Sequence, residues 1–174
     1  MLYWEKLKGG EEVPDIQLMK ISENDFSDYY RLVSDEKVMA QITERAIPKT
    51  EAMENFQKVL SRNSRLVNLG SFKVVHSETK DFLGWVHVTC EEGNTEKAEI
   101  GYMFLPQYWG QGYGREAVKQ LLALVEASPL KELTAMIAPD NHASRKLLTN
   151  NGFQSVFLGM MDGLNTEILD KIIK

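Results

Sequence analysis

Runs of apolar residues at strand and helix spacing divide this chain into segments, and their order is itself informative. Residues 16–21 (IQLMKI) alternate in period two, with Ile16, Leu18 and Lys20 on one face and Gln17, Met19 and Ile21 on the other, which reads as a strand. Ser22 with Asp25 three residues on resembles a capping box that opens a helix over about 23–35. A second helix is expected from Thr50, as N-cap, to about Arg62, turning Met53, Phe56 and Leu60 inward. Three extended runs follow at roughly 68–75, 83–90 and 97–105, and their short polar links, HSETKD and EEGNTEK, suit antiparallel neighbours. The period then changes. Over 114–127, Val118, Leu121, Leu122 and Val125 recur at the i, i+3, i+4, i+7 spacing of one helical face, and Pro129 marks the stop. Residues 132–138 (ELTAMIA) read as a buried strand, and 141–151 as a short helix closed by Gly152 in a left-handed cap. Asp162-Gly163, between the last two extended runs, signals a hairpin with a loop slightly longer than two residues. A short strand over 2–7 is expected ahead of the polar link GGEEVPD at 9–15.

This order predicts an α+β, or mixed α/β, fold. Its central sheet is mostly antiparallel, with one parallel pair where a helical crossover joins 97–105 to 132–138, and helices flank it. A length of 174 residues suffices for one domain with a real core, so a single unit over 1–174 is expected, with 1–14 a lead segment and 15–174 the core. Hydrophobic residues at 43% and charged residues at 26% exclude a disordered or fibrous chain. No apolar run approaches the ~20 residues of a membrane helix, and the first twenty residues lack a signal-peptide core, so the expected location is cytoplasmic, away from membranes. Cys90 is the only cysteine, which rules out an internal disulfide. His87 and Cys90 lie three apart on an expected strand and therefore on opposite faces, so they cannot share a metal ion; no metal is expected. A net charge of −5 argues against a nucleic-acid partner and suits a basic or amine-bearing one. A homodimer is the default assembly for a soluble enzyme.

Chemistry concentrates in QYWGQGYGRE, residues 107–116, where Gly110, Gly112 and Gly114 stand directly before a helix. A tight strand-to-helix turn would need one glycine. A dinucleotide fingerprint, G-x-G-x-x-G, would need glycine at Arg115 and a fully parallel sheet, neither of which is read here. An anion cradle fits better: unpaired N–H groups over about 110–115, a helix N-terminus carrying roughly half a positive charge, and Arg115 in the first turn all favour phosphate.

The stretch AEIGYMFLPQYWGQGYGREAVKQLL, followed by APDNHASRKLLTNNGF, resembles the acetyl-CoA-binding core of the GNAT superfamily of N-acetyltransferases, and its wording is most similar to the ribosomal-protein (RimJ/RimL-type) branch. The likeness in element order runs over about 15–174. Against the superfamily pattern Q/R-x-x-G-x-G/A, Trp109 replaces Gln or Arg, while Gly112 and Gly114 match. The resemblance implies that the N–H groups of Gln111, Gly112, Tyr113, Gly114 and Arg115 hold the pyrophosphate of coenzyme A. It implies too that Met103, Phe104 and Leu105 pair with the pantetheine arm as an added strand would. Asn141 and Ser144 match an N-x-x-S in the same branch. Asn141 suits either a pantetheine amide or a helix N-cap.

Acetyl transfer from a thioester to a primary amine needs positioning, a proton acceptor, and a donor for the oxyanion. Glu99 is the candidate acceptor, acting through water, since it shares a strand face with Gly101 and Met103; its alternative is a surface charge meeting Lys97 or a neighbouring strand. The resemblance implies an oxyanion donor in the N–H of Phe104 or Leu105. It also implies a tyrosine acid where Leu148 stands, which makes Ser144 the candidate replacement. Glu167 is read as a solvated strand residue that can face the amine. Trp4, Trp85, Trp109, Tyr29 and Tyr30 are read as core or pocket-wall aromatics, and His76, His87 and His142 as structural or surface groups without a companion. The function expected is acetyl-CoA-dependent N-acetyl transfer to a protein N-terminus or a small-molecule amine; alternatives are a non-catalytic acyl-CoA sensor and a nucleotide-binding module.

Overall fold

Seven strands hydrogen-bond into a single sheet in the computed structural model, which describes residues 13–174. The expected strand over 2–7 lies outside them. The strands are β1 (Ile16–Lys20), β2 (Gly70–His76), β3 (Phe82–Thr89), β4 (Lys97–Phe104), β5 (Glu132–Ile137), β6 (Gln154–Met161) and β7 (Leu164–Ile172). Their spatial order is β1-β2-β3-β4-β5-β7-β6, antiparallel throughout except for the parallel pair β4–β5. Five α-helices lie among the described residues: α1 (Phe26–Val33), α2 (Glu36–Met39), α3 (Lys49–Asn63), α4 (Tyr113–Glu126) and α5 (His142–Asn150). Two apolar clusters result, one on each face of the sheet. Val118, Leu121 and Val125 of α4 pack with Leu133 and Leu169 on one side, and Tyr29, Phe56 and Trp85 gather beneath α1 and α3 on the other.

The first expected helix forms over 23–33 and is followed by a short one that the sequence pattern does not separate. A 3-10 turn at Glu23–Asp25 leads into α1, and a second cap, Asp35 Oδ1 accepting from the N–H of Lys37 and Val38, restarts the chain as α2. Helix α3 begins at Lys49, before Thr50, and its buried stripe is Ala52, Phe56 and Asn63, while Met53 is 51% exposed. Asn63 is drawn inward because its amide bonds Ser71 twice, accepting from the backbone N–H at 2.7 Å and donating to the carbonyl at 3.0 Å. The closing hairpin is tighter than expected: Met161 pairs with Leu164, and Asp162 and Gly163 both take positive φ, as a two-residue primed turn requires.

Asp25 is buried where α1 meets β2. Burial alone would raise its carboxyl, but hydrogen bonds from Lys73 Nζ (2.6 Å) and from the N–H and hydroxyl of Ser22 (2.8 and 2.9 Å) outweigh it and hold the group below the usual range. A carboxyl depressed on folding stabilises above its unfolded pKa, about 4, and loses that contribution as pH falls through the folded value. Urea unfolding across pH is therefore expected to show wild-type stability dropping below about pH 4, with Asp25→Asn flattening that slope and costing about 3 kcal/mol at neutral pH. Equal slopes for the two proteins would contradict this role.

Candidate active site: a split between two parallel strands

Strand β4 pairs with β3 at six positions, from Glu99↔Thr89 to Phe104↔Gly84, but with β5 at only three, Lys97↔Glu132, Ala98↔Leu133 and Glu99↔Thr134. Beyond Glu99 the two strands part, while β5 remains bound on its other edge to β7 as far as Ile137↔Glu167. Lys97 closes the other end, its Nζ 2.6 Å from Glu132 and 3.6 Å from Asp170 on β7. The opening therefore has a fixed vertex, and Glu99 sits at it.

Which backbone groups face the opening follows from the β3 register. The N–H of Leu105 donates to Leu83 O at 3.0 Å, so by antiparallel alternation Leu105, Met103 and Gly101 spend their main-chain groups on β3. Those of Ile100, Tyr102 and Phe104 point the other way, into the split. Of the two expected oxyanion donors, Leu105 is thus committed elsewhere and its side chain is buried with the α1–α3 cluster; the N–H of Phe104 faces the opening.

Past β4, a 3-10 turn at Pro106–Tyr108 brings the chain to Trp109, whose indole N–H donates to Phe104 O at 2.7 Å. The residue that replaces Gln or Arg in the superfamily pattern thereby ties the glycine loop to the strand end. Gly110 and Gly112 have φ of +71° and +85°, a region that side-chain-bearing residues avoid, and Gly112 is itself the N-cap of α4. With no cap side chain there, and the helical ladder starting only at Glu116 N–H to Gly112 O, the first-turn N–H groups are directed out of the helix end. A phosphate fits such an end.

A cleft of about 490 Å³ connects these parts. Met103, Phe104, Gly112, Tyr113 and Gly114 line it, as do Asn141 and Ser144 from α5, with Lys37 and Gln41 at the α2 side. Gln111, Arg115, Leu105 and Glu99 do not. Asn141 caps α5, its Oδ1 accepting from Ser144 N–H at 3.1 Å, so the cap uses the oxygen of the amide and not its donor end. Leu148 is fully buried in the core.

Three polar contacts bear on the expected roles. Glu99 meets His87 Nε2 on the neighbouring strand β3 at 3.9 Å, the contact given above as its alternative role, so this histidine has a companion. The signal was Gly101, opposite His87 in register, where a Cβ would collide with the imidazole ring. Glu167 is 1% exposed and not solvated; its charge is matched by Arg145 on α5 at 3.0 Å. Tyr102 lines the cleft and donates its hydroxyl to Ser144 O at 3.4 Å, a contact that no spacing in the sequence suggests. Among the described residues no group of His, Cys, Asp or Glu gathers to hold a metal, and no helix is long and apolar enough to cross a membrane.

The chain belongs to the acetyltransferase (GNAT) family, whose domain model matches residues 15–154. YoaA of Bacillus subtilis (strain 168), an uncharacterized N-acetyltransferase, is 27% identical over 111 residues, 60% of this chain and 63% of that protein, so the match spans less than two thirds of the relative. The spermidine N-acetyltransferase of Vibrio cholerae, solved with CoA and spermine, superposes with a TM-score of 0.75 at 16% identity, covering 91% of this chain and 95% of that one. RimL, a ribosomal L7/L12 α-N-protein acetyltransferase solved with coenzyme A, gives 0.76 at 16%, covering 91% and 94%. At such identities the likeness is one of fold.

Proposed function

We propose that this chain transfers an acetyl group from acetyl-CoA to a primary amine, by direct attack while both substrates are bound. The observation that carries this reading is the split itself: an unpaired strand edge opening beside a glycine-built helix N-terminus, one suited to an extended amide-bearing arm and the other to a diphosphate. Two neighbours of the same fold were solved with CoA, which supports acetyl-CoA as the donor. Acetyl-CoA supplies the acyl group as a thioester. The N–H groups from Gln111 in the loop to Arg115 in the first turn of α4 hold its diphosphate. Main-chain groups of Tyr102 pair with the arm, and the N–H of Phe104 donates to the carbonyl oxygen as it gains charge. Glu99, at the vertex of the split, is the acceptor that takes the amine proton through water, and His87 Nε2 stands 3.9 Å from its carboxylate. On the acceptor side, the wording of the 99–117 stretch and the RimL neighbour favour a protein N-terminus, and the spermine-bound neighbour a polyamine.

A second reading, an acyl-CoA sensor without turnover, is kept by Leu148, which occupies the position of the superfamily's usual tyrosine acid. Free-thiol release from acetyl-CoA, followed with spermidine and with a tetrapeptide bearing a free α-amine, separates the two. Amine-dependent release is expected; tight coenzyme A binding with no release from any amine class would establish the sensor.

A further inference from the structure

Leu148 leaves α5 without an acid, yet the cleft beside that helix is not without a hydroxyl. Tyr102 reaches it from the opposite wall. Its residue lies on the stretch of β4 that has parted from β5, three positions beyond the last paired residue, and its ring crosses to α5, where the hydroxyl meets the carbonyl of Ser144. We infer that Tyr102 is the proton donor to the departing thiolate, delivered from the strand and not from the helix. This rests on the acetyl-transfer reading above.

The geometry favours it over Ser144. A phenol is a far stronger acid than an aliphatic hydroxyl, and the Tyr102 hydroxyl is held at the α5 wall of the cleft by a single long bond, 3.4 Å, to the Ser144 carbonyl. Burial raises the Tyr102 phenol, partly offset by its bond to Ser144, so the group holds its proton through the neutral range. In the step, the carbon–sulfur bond breaks, its electron pair stays on sulfur, and the Tyr102 proton passes to that sulfur. Tyr102 then regains a proton from solvent, which has received the one lost by the amine through Glu99. The sum is amine plus thioester giving amide plus thiol.

A hydroxyl placed this way must also hydrogen-bond the thiolate of bound coenzyme A, and that is measurable without any acceptor. Thiolate absorbance of coenzyme A bound to the wild type and to Tyr102→Phe is titrated against pH. The remaining titratable groups of the cleft, Lys37, Tyr108, Tyr113, Asp140 and His142, are common to both proteins. Donation to the thiolate favours the charged form, so the bound thiol is expected to be roughly tenfold more acidic in the wild type than in the variant. With amine present, kcat of the variant should fall about a hundredfold at nearly unchanged KM for acetyl-CoA. Equal titrations with equal coenzyme A affinity would overturn this assignment and leave acetyl transfer standing. Failure of the wild type to bind coenzyme A would overturn both.

Discussion

Gly112→Val is expected to weaken coenzyme A binding by at least about a hundredfold in calorimetric titration, the largest effect of any single substitution in the loop. Gly112 has φ of +85°, where a β-branched residue costs on the order of 1–2 kcal/mol of backbone strain. The new Cβ itself would meet Pro14 only at ordinary contact distance, 3.4 Å, so the strain is in the backbone. Relief of that strain rotates the first turn of α4, so N–H groups that converge on the diphosphate no longer do so. Loss of two hydrogen bonds to a charged group, each about 1.5–3 kcal/mol, suffices for the predicted change. Gly163→Ala is the control: its φ of +82° imposes similar strain in the distant β6–β7 turn, and nothing surrounds it within 4 Å. It should lower stability without altering affinity. Binding by Gly112→Val within threefold of the wild type would remove the diphosphate from this helix end.

Glu99→Gln is the second. The amide keeps the volume and removes the proton acceptor, so kcat is expected to fall about a hundredfold while the KM for acetyl-CoA holds. The deficit should shrink as pH rises toward the amine's own pKa, because an amine already deprotonated no longer needs the carboxylate. A uniform loss across pH would mean that Glu99 shapes the vertex of the split and takes no proton.

What the sequence conveyed about this fold was mainly local. Helix α4 was legible because Val118, Leu121, Leu122 and Val125 mark one face with strong apolar residues, and the parallel pair followed from the helix that joins its strands. The inner face of α3 was not, since Ala52 and Asn63 carry no apolar signal and Asn63 is buried for a partner eight residues away. Glu167 reads as a solvent-facing charge until Arg145, far back in the chain, is seen beside it. Likewise the glycine spacing announced an anion site, but which main-chain groups face the split depended on the register of β4 against β3, set by a single bond from Leu105 to Leu83. The meetings of His87 with Glu99 and of Tyr102 with Ser144 are tertiary in the same sense.

A crystal structure of the chain with acetyl-CoA tests the central claim most directly. The diphosphate should lie about 3 Å from the N–H groups at the start of α4, with a pantetheine amide bonded to the main chain of Tyr102 and the thioester carbonyl at the N–H of Phe104. A diphosphate bound elsewhere, with β4 and β5 zipped together past Glu99, would contradict it.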